Sequence, residues 1–121
     1  MTLLSLVLGG SADDRERAIA ADIPPGLVCA AIIEGLPSGG AAPLNEMPPD
    51  VSLEVVRVAP GCPCCTGNLT MRVTLNRILR RSPARLYLSL SDASHREQVL
   101  LFLQAPQYLA LLAIGPDLQC A

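Results

Sequence analysis

Lysine is absent from this sequence, and all nine basic residues are arginine. A phosphate loop of the G-x-x-x-x-G-K-[ST] kind therefore has no lysine to draw on. Tryptophan is also missing, and two tyrosines and one phenylalanine are the whole aromatic complement. The core must be built from Leu, Val, Ile and Ala. So few rings leave little for stacking bases, which argues against nucleic acid as a partner. No apolar run approaches the ~18 residues of a membrane span, so no membrane partner is expected. Met1 to Gly10 is apolar, but it has no basic flank and is short for a leader. The expected home is the reducing cytoplasm. No Ser-His-Asp order, paired carboxylates or cofactor fingerprint is present, so an enzyme is the least expected class.

What is present is half hydrophobic and 17% charged, the composition of a globular chain. Its 121 residues suffice for one domain with a core. Apolar runs alternate with amphipathic ones. Thr2 to Leu8, Leu27 to Ile33, Val51 to Val58, Arg85 to Leu90 and Tyr108 to Ile114 read as strands. Continuous apolar runs suit strands covered on both faces. Helices are expected from Ser11 to before Pro24-Pro25, over Leu69 to Leu79, and over Arg96 to Leu103. In the second, Met71, Leu75, Ile78 and Leu79 form a core stripe, opposite Arg72, Asn76 and Arg80. The expected fold is a three-layer α/β domain with a parallel sheet of about five strands, spanning 1–121. Residues 35–50 are rich in Gly and Pro and read as a flexible loop.

Charge is unevenly spread. Residues 1–50 hold two arginines against seven acids, and residues 57–85 hold six arginines and no acid. The arginine run reads as a solvated helix face, with an acidic or phosphate-bearing partner as the other reading.

Cysteine carries the main chemical signal. Three of five lie within four residues, in Gly61-Cys62-Pro63-Cys64-Cys65. That stretch falls between a strand and a helix, where partial positive charge and free N–H groups favour thiolate. Thiolate is the form that binds a soft metal or attacks a disulfide. Zn²⁺ takes four ligands, with sulfur at ~2.3 Å. Cys62, Cys64 and Cys65 would need completion by Glu34, His95, Cys120 or water. Glu34 and His95 both fall at carboxyl ends of expected strands, the ligand edge of open α/β sheets. Each also has a plainer reading, as an exposed turn residue and as a surface histidine. Cys29, alone among apolar neighbours, reads as a small core side chain. A thiol redox switch and an inert leftover remain alternative uses of the cysteine turn.

Strand, Cys62-Pro63-Cys64-Cys65, helix, and an apolar strand with a Ser-rich end together resemble the nucleotide-binding domain of CobW-type metallochaperone GTPases. The resemblance follows nearly the whole chain in order, but only the Cys-x-Cys-Cys motif is specific. It implies a P-loop-GTPase-like core with Thr2 to Ser11 in the place of the phosphate loop. It also implies metal on Cys62, Cys64 and Cys65, with Glu34 in the place of a contributing Glu after the second strand. The departures are large. Gly-Lys-Thr is gone, and the Walker B end corresponds to Ser89 to Asp92, with Asp92 its one acid. The guanine-reading motif would lie beyond the fifth strand. The expectation is a shortened, degenerate relative that binds zinc or another divalent transition metal. GTP and Mg²⁺ are not expected, residual nucleotide binding through backbone N–H groups being the alternative. An edge strand could pair with a second copy or with a full-length relative.

Overall fold

The computed structural model describes residues 2–34, 52–58 and 69–120, and of residues 69–71 the backbone alone. Strand β1 (Thr2–Gly9) is followed by α1 (Ala12–Asp22), β2 (Val28–Glu34) and β3 (Ser52–Val58). Then come α2 (Leu69–Arg80), β4 (Arg85–Ser89), a 3₁₀ turn (Ala93–His95), α3 (Arg96–Leu103), α4 (Pro106–Leu109), β5 (Leu112–Ile114) and β6 (Leu118–Cys120). The sheet runs β3-β2-β4-β1-β5, with β6 also on β1, and all pairs are parallel. This is the expected α/β architecture.

Strand order explains the layers. The crossover from β1 to β2 moves one way along the sheet, whereas those from β3 to β4 and from β4 to β5 move the other way. Parallel crossovers share one hand, so reversing direction changes the face that the helix covers. Accordingly Ile19 of α1 and Ile23, which caps its carboxyl end, pack with Val7, Cys29, Ala31, Ile33 and Tyr87. On the opposite face, α2 and α3 supply Leu75, Ile78, Leu79, Val99 and Leu103. They meet Leu4, Leu6, Ile32, Leu86 and Leu88. Leu75, Ile78 and Leu79 of the expected stripe are each at most 2% exposed, and the Met71 side chain lies outside the described residues. Full burial of such a side chain contributes about 1.5–3 kcal/mol. Helix α2 ends where Ser82 turns to φ 49° ahead of Pro83. Pro83 cannot donate a further helical bond.

Three expectations need correction. The apolar run Tyr108 to Ile114 is not one strand. Pro106 opens a helical turn at its first position, where its missing N–H costs nothing. Tyr108 is buried, its ring 5.0 Å from that of Phe102, and only Leu112–Ile114 reaches the sheet. A sixth strand, β6, pairs with Val7, Leu8 and Gly9. Finally, the arginine run is a solvated helix face only in part: Arg72, Arg77 and Arg80 of α2 are exposed as expected, but the arginines on and beside the strands are paired. Arg57 meets Glu16, Arg81 meets Glu54, and Arg85 meets Asp22. Much of the charge imbalance along the chain is thus folded into ion pairs. Among the described residues, no helix is long and apolar enough to cross a membrane.

Candidate functional site

All strands point the same way, so the segments after β1, β2, β3 and β4 leave from one edge of the sheet. β1 and β4 are neighbours whose connections depart in opposite directions. Such a switch point opens a crevice where open α/β sheets bind ligands.

At this switch point the crevice is filled by the chain itself. Gly9 and Gly10 take φ of 81° and 60°, a conformation glycine adopts without steric cost. Only Gly10 and Ser11 separate β1 from α1. Ser11 caps the helix: Asp14 N–H donates to Ser11 Oγ at 3.1 Å, and Ser11 N–H donates to Asp14 Oδ2 at 3.0 Å. The bond from the Ser11 backbone holds the Asp14 carboxyl below its ordinary value, with its hydroxyl and Arg17 adding to the effect. Arg15, 5% exposed, turns back beneath the loop. Its Nε donates to Ser89 Oγ at 2.9 Å, and Nη1 donates to the carbonyls of Gly9 and Gly10 at 3.2 and 3.0 Å. A guanidinium thus uses the carbonyls of the turn, and two acids flank the N–H groups that would face an anion.

The other half of the edge, at the ends of β2 and β3, is built differently. Glu34 is the last residue of β2 and is 1% exposed. Ser91 donates to its Oε1 twice, from the backbone N–H and from Oγ, each at 2.9 Å. A carboxylate at a strand end, read from sequence as a turn residue or a ligand, is therefore a buried group tied to the β4–α3 connection. Asp92, next in that connection, accepts from Ser94 N–H at 2.9 Å and from Ser94 Oγ at 2.7 Å. These two bonds, the side-chain one first, hold its carboxyl below the ordinary range. Asp92 so caps the 3₁₀ turn, which is a structural use of this acid.

His95 ends that turn, half-buried. Its Nε2 lies 3.8 Å from Asp92 Oδ2, and its buried Nδ1 has no hydrogen-bond partner among the described residues. Cys120, in β6, sits across β1 on the α1 side, and its thiol donates to the Asp14 carbonyl at 3.8 Å. Burial pushes that thiol up, as it does Cys29 in the core. Both are thereby disfavoured as thiolates.

Cys62, Cys64 and Cys65, with the whole stretch from 59 to 68, lie outside the described residues, as does the loop 35–50. Among the described residues, no group of three or more His, Cys, Asp or Glu side chains is gathered closely enough to hold a metal. Glu34 has a carboxylate at its strand end and His95 a buried nitrogen without a hydrogen-bond partner among the described residues, and neither makes a metal site by itself. The structure does fix the frame of that stretch. It joins β3 to the first turn of α2, and β3 pairs along its whole length with β2, from Val28↔Ser52 to Glu34↔Val58.

Arg15, Ser89 and Ser91 were not singled out from sequence. The serines at 89 and 91 mark a polar strand end, but their partners lie 74 and 57 residues away. A separate cavity of about 230 Å³, among Val28, Leu53, Ile78 and Pro83, lies at the amino ends of β2 and β3, on the opposite edge. Compared with protein-family models, curated proteins and solved structures, the chain finds no match in any of the three.

Proposed function

We propose that this chain is a non-catalytic, CobW-like metal-binding protein that holds a transition ion, zinc in the first instance, through the Cys62-x-Cys64-Cys65 turn. One observation carries the reading. Three thiols fall in the connection that leaves β3, and the strand paired with β3 ends in the buried carboxylate Glu34. The register puts Glu34 opposite Val58, the last described residue before the cysteine stretch. Thiolates from the turn, with Glu34 or His95 completing the set, satisfy the four ligands zinc takes. When bound, the ion would supply a structural clasp or be carried as cargo. The residues around it hold and orient it.

The switch point supports a non-catalytic role. Its helix N-terminus is closed by Ser11 and Asp14, and its glycine carbonyls are taken by Arg15. The reading keeps the protein in the reducing cytoplasm, where free thiols persist. It allows pairing with a second copy or a full-length relative.

Protein purified without chelator should contain about one zinc per chain, and binding should release protons. The double variant Cys64→Ser with Cys65→Ser should lose that metal. A double variant with unchanged metal content would end this reading.

A further inference from the structure

We infer that the outer face of α2 docks an acidic segment of a partner protein, with Arg77 and Arg80 gripping its carboxylates and Val73 meeting an apolar side chain between them. Docking there uses no thiol and no metal, so it stands apart from the metal-binding reading above.

The use of arginine in this chain carries it. Arg17, Arg57, Arg81, Arg85 and Arg96 each meet a carboxylate. Arg15 is spent on the Gly9 and Gly10 carbonyls, and Arg72 lies 5.3 Å over the Phe102 ring. Arg77 and Arg80 are exposed, and neither has a hydrogen bond or ion pair among the described residues. They stand one turn apart, and α2 itself contains no acid to meet them. A helix face kept only for solubility mixes charges of both signs. This face has one sign, with an apolar residue set in it: Val73 is 56% exposed. Val73, Asn76, Arg77 and Arg80 follow helical spacing, so they share one stripe, and they line a shallow hollow of about 270 Å³. On the opposite side of the helix, Leu75, Ile78 and Leu79 are buried in the core, which holds the stripe in place.

The chemistry selects the partner. A guanidinium is a planar fork that matches a carboxylate with two parallel hydrogen bonds. Nucleic acid fits less well. The hollow has no aromatic ring to stack a base, and the net charge of −2 opposes a dense polyanion. Exposed charge pairs are weak and screened by salt, which suits a transient contact. The plainer role for both arginines is to offset the dipole at the carboxyl end of α2. The two roles separate in what they change. Dipole support moves the thermal midpoint, whereas docking moves the affinity for an acidic segment.

The experiment is fluorescence anisotropy of the full chain at low salt. The probe is a labelled peptide of Glu-Ala-Leu-Glu repeats, which sets carboxylates one turn apart around leucine. A second peptide has serine for leucine. The parent should bind the leucine peptide, and added salt should weaken it. Arg77→Gln with Arg80→Gln should bind about tenfold more weakly, the worth of two exposed pairs. Arg17→Gln, which removes an exposed arginine from α1, should stay within about twofold of the parent. Val73→Ser should weaken the leucine peptide and leave the serine peptide unchanged, because the two apolar groups act through one contact. Arg77→Lys with Arg80→Lys keeps the charge that supports the helix and loses the fork. It should hold the parent's thermal midpoint and still bind more weakly, which keeps the test open if the glutamine pair does not fold. No binding by the parent, or full binding by the glutamine or the lysine pair, overturns the inference. So does displacement of the peptide by a single-stranded oligonucleotide at equal charge. The Cys64→Ser, Cys65→Ser variant should bind the peptide as the parent does, so neither reading falls with the other.

Discussion

The two halves of the sheet's carboxyl edge differ in what they do with their polar groups. At β1 and β4, Arg15, Ser89, Gly9, Gly10, Ser11 and Asp14 satisfy one another. At β2 and β3, the buried Glu34 accepts two hydrogen bonds from Ser91 of a neighbouring turn, and the chain leaves β3 into a stretch with three thiols. Both halves stand where open α/β sheets bind ligands. One half has turned ligand-binding geometry into self-packing, and the other keeps donors of the kinds that metals use. The difference directs the search for function to β2 and β3, whatever the switch point might suggest by position.

Among the described residues one ion pair joins the halves, and breaking it should have the largest effect. Glu16 of α1 is 0% exposed, and both its oxygens are taken by Arg57 of β3, at 3.1 and 3.0 Å. Arg57→Ala would leave an uncompensated buried carboxylate, at a cost of about 3–5 kcal/mol. The expected result is a large drop in urea midpoint with little change in slope. Adding Glu16→Gln should recover part of the loss, because the stranded charge is then removed. If Arg57→Ala costs under about 1 kcal/mol, in the range of an exposed pair, the halves are not mechanically joined here.

A pair of glycines sharpens the contrast next. Gly9 and Gly26 have nearly the same φ, 81° and 83°. A Cβ on Gly9 would lie 2.5 Å from the backbone oxygen of Cys120, whereas one on Gly26 meets nothing within 4 Å. Gly26→Ala should therefore show only the left-handed backbone cost, about 1–2 kcal/mol. Gly9→Ala should cost more, because the clash is with the backbone of β6 and not with a flexible side-chain tip. Hydrogen exchange at Leu118 to Cys120 should accelerate in Gly9→Ala and stay unchanged in Gly26→Ala. Equal stabilities for the two variants would show that β6 yields freely, and the closed half of the edge would then be looser than its packing implies.

The sequence made the frame legible because its signals are local. Alternating apolar runs, punctuated by Gly9-Gly10, Pro24-Pro25 and Ser82-Pro83, mark the first four strands and the helices between them. Local signals failed where a short segment had two uses. Tyr108 to Ile114 is apolar throughout, but Pro106 favours a helical turn, and Tyr108 finds Phe102 before it finds the sheet. Leu118 to Cys120 is too short to show a period at all. The site was half legible for a related reason. The cysteine cluster and Glu34 stand out by residue type, but the partners that define Glu34 and Arg15 are serines from β4 and its following turn. Residue type told which groups carry chemistry, while only the topology told which serine serves which.

The smallest expected effect tests how the closed half is sealed. Ser11→Ala removes the hydroxyl that caps α1 and should cost about 1 kcal/mol at neutral pH. Its pH dependence is more telling than its size. Hydrogen bonds from Ser11, the backbone one first, hold the Asp14 carboxyl below its ordinary value of 3.8. A carboxyl depressed on folding contributes stability that is fully present above its unfolded value and is lost as pH falls through its folded one. The parent should therefore lose this contribution at and below about pH 4, while Ser11→Ala, with part of the depression gone, should lose less there. The two stability curves should converge in acid and stand apart at pH 6–7. Parallel curves down to pH 2 would mean that Asp14 is not part of the seal, and that Arg15 alone closes the switch point.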